Sequence, residues 1–207
     1  MFSNSGMFLN REVKSKHISN KMKHLFISSI IFALMFALIA CGGGETAEQV
    51  EEEVIDDGVR TINIIGTDDM KFVVEPSAVE NDDRLITGGQ AGQYILLEGI
   101  EAEPGEELRI RLTTISNLPA TAMAHNLAIV ELGTDVDAFA RASITARDNE
   151  YIAPDFEDQV IVTTRMLGNG ETDTITFTVP EEPGEYDYVC TFPGHFAGGM
   201  VGVLVVQ

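Results

Sequence analysis

Residues 186–205 read Tyr186-Asp187-Tyr188-Val189-Cys190-Thr191-Phe192-Pro193-Gly194-His195-Phe196-Ala197-Gly198-Gly199-Met200-Val201-Gly202-Val203-Leu204-Val205. The alternations Tyr186, Tyr188, Cys190 and Val201, Val203, Val205 read as two half-buried strands. The loop between them carries a thiolate, an imidazole and a thioether at intervals of five residues. Upstream, Ala124-His125-Asn126 supplies a second imidazole. Soft sulfur favours reduced copper while imidazole suits both oxidation states, so Cys190, His125, His195 and a weak axial Met200 form the donor set of an electron-transfer copper site. Zinc also accepts Cys and His, but it leaves Met200 without a role.

Working outward, the same period of two recurs at Ile62 and Ile64, at Leu108, Ile110 and Leu112, at Leu127 and Ile129, and at Ile175, Phe177 and Val179. Pro104-Gly105, Gly168-Asn169-Gly170 and Pro183-Gly184 punctuate these strands as turns. Short strands with regular turn signals describe an all-β sandwich rather than alternating β and α units. Two stretches break the pattern. Val136, Phe139, Ala140 and Ser143 recur at helical spacing behind a capping Asp135, which predicts a short helix over 135–146 outside the sheets. Residues 81–98, with Gly88-Gly89 and Gly92, read as a loop or hairpin insertion.

The amino-terminal third has a different composition. Lys14, Lys16, Lys21 and Lys23 precede an apolar run of 16 residues, Leu25 to Ala40, shorter than the roughly 20 that a membrane-spanning helix needs. A basic flank, a short apolar core and small residues before a cleavage point mark an export signal, here residues 1–40, and Met22 is a plausible alternative start. Its end, Leu38-Ile39-Ala40-Cys41-Gly42, resembles a bacterial lipobox. That resemblance implies acylation of Cys41 as the first mature residue. Residues 41–58 follow as a tether: Glu45 to Asp57 hold seven acidic residues and no basic one, a composition that cannot bury a core. The domain proper is then 59–207.

Cleavage before Cys41 removes His17 and His24, leaving His125 and His195 as the only histidines and Cys190 as the only thiol not committed to lipid. No structural disulfide is possible, and an unpaired thiol outside the cytoplasm is best explained by a metal on it. Of 33 acidic and 13 basic residues, one acidic and five basic fall in the leader, so the mature chain has 32 against 8, net −24. That charge disfavours nucleic acid as a partner. It also makes lipid, not a basic patch, the means of holding a membrane.

Beside the donors, Met123-Ala124-His125-Asn126, Asn117-Leu118-Pro119, Asp69-Met70-Lys71-Phe72 and Gly168-Asn169-Gly170-Glu171 make the chain resemble the azurins and auracyanins, blue copper proteins of the cupredoxin family. The resemblance runs from about Thr61 to the end, apart from the insertion. It implies a Greek-key β-sandwich holding one copper that cycles between Cu(I) and Cu(II), and a carrier of single electrons rather than an enzyme. It also implies a weak axial oxygen from the Ala124 carbonyl. The amides of Asn126 and Phe192 would donate to the Cys190 sulfur, with the Asn126 side chain and Thr191 bracing the ligand loop. Three departures stand out: one more residue lies between His195 and Met200 than in azurin, as in auracyanin; azurin's disulfide is missing; and Leu127 replaces its buried tryptophan.

Copper storage or delivery is the alternative function, although such proteins usually present exposed sulfur. A copper oxidase or nitrite reductase needs more histidines than remain. Thr191 to Gln207 and Leu112 to Val130 contain no charged residue, which points to an apolar electron-transfer patch of Leu118, Pro119, Met123, Phe196 and Ala197 around the His195 edge. The partners expected are redox proteins such as c-type cytochromes or respiratory complexes. The expected location is periplasmic or cell-surface, lipid-anchored to a bacterial membrane, with the outer membrane favoured because Gly42 is not aspartate.

Overall fold

The computed structural model describes residues 57–207. The leader, the acylated Cys41 and the tether expected from the sequence lie, up to residue 56, outside the described residues. Among the described residues ten strands form one hydrogen-bonded sheet: β1 (Arg60–Thr67), β2 (Phe72–Val74), β3 (Leu85–Ala91), β4 (Tyr94–Ala102), β5 (Glu107–Ile115), β6 (Ala128–Val130), β7 (Val160–Thr163), β8 (Thr172–Thr178), β9 (Gly184–Val189) and β10 (Val201–Val206). Their spatial order is β7-β6-β9-β10-β4-β2-β1-β5-β8, with β3 added on β4. Two parallel pairings, β1 with β5 and β10 with β4, interrupt the antiparallel ladder. Parallel neighbours cannot be joined by a hairpin, and the path folds into a Greek-key sandwich around one main core.

The alternating residues fill that core. Ile62, Ile64, Leu108, Ile110, Leu112, Tyr186, Tyr188 and Cys190 are all at most 3% exposed. β10 departs from its sequence reading. Gly202, Leu204 and Val206 are the buried set, and Val201, Val203 and Val205 are only half-buried. The physical reason is that an all-apolar strand carries no polar residue to mark its outer face. Phase is set instead by packing: a Cβ on Gly202 would lie 2.3 Å from the Tyr188 ring.

The predicted helix is α2 (Val136–Ser143), whose Asp135 cap accepts from the Ala138 amide. It ends three residues earlier than its sequence pattern, and a 3-10 turn, Arg147–Asn149, follows. Phe139 of α2 packs with Ala128, Val130, Ile152, Ala153 and Val189 in a second apolar cluster, on which Phe196 also rests. The 81–98 insertion is largely the β3–β4 hairpin. A further helix of six residues, α1 (Pro76–Asn81), has no apolar periodicity to announce it and buries no side chain.

Candidate metal centre

Two separate stretches of chain deliver the donors. β9 ends at Val189 and places Cys190 at the mouth of the ligand loop, whose neck is closed by the Cys190 amide donating to the Met200 carbonyl at 3.1 Å. Inside the loop, successive turns run from the His195 amide to Phe192 O, from Gly198 to Gly194 O, from Gly199 to Phe196 O and from Met200 to His195 O. His125 sits before β6 in an isolated antiparallel bridge with Leu167, donating to its carbonyl at 2.9 Å and accepting from its amide at 2.8 Å. The imidazole lies against β1, where a Cβ on Gly66 would stand 2.8 Å from the ring.

One ligand atom each from His125, Cys190 and His195 lie within 4.8 Å of one another. Both imidazoles turn Nδ1 toward the Cys190 sulfur, at 3.9 Å for His125 and 3.4 Å for His195. Met200 is fully buried, His195 is 2% exposed and Ala124 is 2% exposed. The Asn126 side chain bridges the two ligand segments, accepting from the Thr191 amide at 2.9 Å and donating to its hydroxyl at 2.8 Å. The Asn126 and Phe192 amides donate to the Cys190 sulfur.

Electrostatics leave these donors ready for a metal. Burial pushes the Cys190 thiol up to about 12, against the pull of those two amides. Burial first, then the neighbouring His195, takes His125 down to about 3, with Asp68 pulling the other way. Burial takes His195 down to about 4. Near neutral pH the metal-free site therefore holds two neutral imidazoles and a protonated thiol, and a metal entering it displaces one proton. A soft sulfur and two imidazole nitrogens, converging and dry, fit copper.

The remaining positions named from the sequence fall in different places. Leu118 is 45% exposed and Pro119 and Ala197 are exposed, whereas Met123 is 8% exposed and Phe196 is half-buried beside α2. Two residues with no reading of their own in the sequence also reach the site. Asp68 accepts from the Asn117 amide at 3.0 Å, and Lys71 donates to carbonyls of the ligand loop. Lys71 falls in a motif that carried the resemblance, but neither residue's contact could be read locally, because the partners lie 49 and 127 residues away.

Residues 100–207 match the model of the copper binding proteins of the plastocyanin/azurin family. Auracyanin-B of Chloroflexus aurantiacus is 40% identical over 83 residues, 40% of this chain and 35% of that protein. Azurin of Alcaligenes faecalis is 32% identical over 118 residues, 56% of this chain and 91% of that protein. Among solved structures, dithionite-reduced auracyanin from Roseiflexus castenholzii superposes with a TM-score of 0.52 at 28% identity, over 71% of this chain and 96% of that one. The chain belongs to the plastocyanin/azurin family, a cupredoxin blue copper protein, and its metal is copper. It spans about a third of the length of the Auracyanin-B it matches.

Proposed function

We propose that this protein is a lipid-anchored carrier of single electrons outside the cytoplasm. The observation that carries the reading is the burial of the whole donor set: His125 and Cys190 are 0% exposed and His195 is 2%. A centre so enclosed has no open position for substrate, which favours electron transfer over catalysis. An exposed thiol, which copper delivery would want, is likewise lacking at Cys190.

In this reading His125 and His195 would hold copper through Nδ1 and Cys190 through its thiolate, and the Met200 thioether and the Ala124 carbonyl would be weaker donors. Copper would supply the one-electron couple. The protein supplies rigidity: the Asn126–Thr191 bridge, the Leu167 bridge and the amide donors to sulfur hold the ligands in one arrangement for both oxidation states. Leu118, Pro119 and Ala197 form the apolar rim on which a redox partner, such as a c-type cytochrome or a respiratory complex, docks. Acidic groups at the periphery then govern encounter rate and its salt dependence.

The lipobox at Cys41 supports anchoring by acylation. Among the described residues no helix is long and apolar enough to cross a membrane. Two measurements test the proposal. Mass spectrometry of membrane-extracted protein should find lipid on Cys41 and nothing upstream, and recovery of residues 23–40 in the mature protein refutes the anchor. Stopped-flow mixing with a one-electron donor and then an acceptor should bleach and restore the blue colour reversibly. A colour that cannot be cycled refutes electron carriage.

A further inference from the structure

Beyond Lys23 the chain has a single lysine, Lys71. Arg60, Arg84, Arg109, Arg141 and Arg165 each meet a carboxylate. Lys71 turns instead to backbone in the ligand loop, its Nζ donating to the Gly198 carbonyl at 2.7 Å and the Gly199 carbonyl at 3.3 Å. In so acidic a protein, a cation directed to carbonyls calls for a local explanation.

The loop supplies one. Residues 194–199 wind through the successive amide-to-carbonyl turns already described, and such a winding ends in carbonyls without partners of their own. A lysine at that end satisfies them and complements their partial negative charge. The two residues held are glycines, the most costly to order, and Gly199 sits at φ 83°. They immediately precede Met200, in the stretch that is one residue longer than in azurin. The fit is close on both sides: a Cβ on Gly199 would lie 2.8 Å from Lys71 Nζ, and one on Gly198 would lie 2.9 Å from Met70 Sδ. Met70 and Lys71 reach this position from a turn closed by the Thr67 amide on Lys71 O at 3.2 Å and the Met70 amide on Thr67 O at 2.9 Å, with Met70 at φ 55°.

We propose that Lys71 is a positioning residue of the copper centre, clamping Gly198 and Gly199 so that Met200 is presented at one fixed distance and orientation. The clamp rests on the copper reading and adds to it a residue that never touches the metal. Lys71→Met removes both charge and donor from a stem of similar shape. Lys71→Gln keeps a neutral donor. Arg84→Met, which removes one cation elsewhere, is the control.

The test reads amide hydrogen exchange at Gly198, Gly199 and Met200 in the copper-free full chain, and the visible and electron paramagnetic resonance spectra of the copper-loaded chain. Lys71→Met should exchange about tenfold faster at these amides, the scale expected for losing a charge-assisted hydrogen bond. It should also shift the balance of the copper–thiolate bands, Lys71→Gln should do both to a smaller degree, and Arg84→Met should do neither. If Lys71→Met does not fold, Lys71→Gln against Arg84→Met decides. Exchange and spectra like wild type in the Lys71 variants overturn the clamp, and so does an equal change in Arg84→Met. A wild-type chain without a blue band defeats the copper reading instead, while exchange in the copper-free chain still judges the clamp.

Discussion

The two ends of β1 solve the problem of polar groups in opposite ways. At Arg60 the strand begins in a charge network: the guanidinium meets Asp82 at 2.8 Å and Glu106 at 3.7 Å, and Glu106 also pairs with Arg84 at 2.9 Å. Six residues on, roughly 20 Å along an extended strand, Gly66 presents a bare backbone to the His125 ring. There the buried polar groups are neutral donors, and the turn that follows brings Asp68 and Lys71 to the surrounding loops. The ionic end is soldered by pairs that need only proximity. The copper end is fitted by shape and by single hydrogen bonds, because a pair of charges beside the metal would bias its oxidation state.

That contrast can be broken most severely at Gly66. Gly66→Ala inserts a methyl into the His125 ring, and overpacking of this kind costs about 1–3 kcal/mol. The displaced imidazole should also lower copper affinity and alter the visible spectrum, which a copper titration will register. Arg60→Met, at the other end of the same strand, leaves Asp82 partly buried without its cation while Glu106 keeps Arg84, and should cost about 1–2 kcal/mol in denaturant unfolding. Its blue spectrum should be unchanged, so a spectral shift there would show that the ends are coupled.

Acidity sharpens the comparison at the copper end alone. Between the imidazole values, about 3 and about 4, and the thiol value of about 12, each copper bound releases one proton. Affinity measured by competition should therefore fall about tenfold, or 1.4 kcal/mol, for each unit that pH is lowered. Linkage sets the sign for the copper-free fold. Both histidines titrate below their ordinary 6.5, so the unfolded chain binds protons that the folded chain refuses. Stability should fall as pH drops below about 6.5. The thiol is raised from 9.0, so stability should also fall as pH climbs above about 9. The smallest effect is expected at the rim. Leu118→Lys should change stability by less than about 0.5 kcal/mol and leave the spectrum intact, yet slow electron self-exchange. An unchanged rate would place the exit elsewhere.

What could be read from the chain follows the range of the interactions involved. The donors were legible because Cys190, His195 and Met200 share one loop and His125 is the only other histidine beyond residue 24. Strands with polar outer faces, such as β5, declared their phase through Arg109 and Arg111. β10 could not, because valines line both of its faces, and only the Tyr188 ring over Gly202 chooses between them. α2 announced itself by its Asp135 cap, whereas α1 has neither an apolar stripe nor a side-chain cap. Lys71 and Asp68 were illegible for a plainer reason: the fold alone brings residues 67–71 against loops 49 and 127 positions away.

The central claim is that one copper is held by His125, Cys190 and His195 in a buried site. Titrating the metal-free full chain with copper, while following the visible thiolate-to-copper band and bound metal by mass spectrometry, tests it most directly. The account predicts an intense blue band that saturates at one copper per chain in wild type and is absent in Cys190→Ser. A second equivalent of tightly bound copper, or the same band in Cys190→Ser, would contradict it.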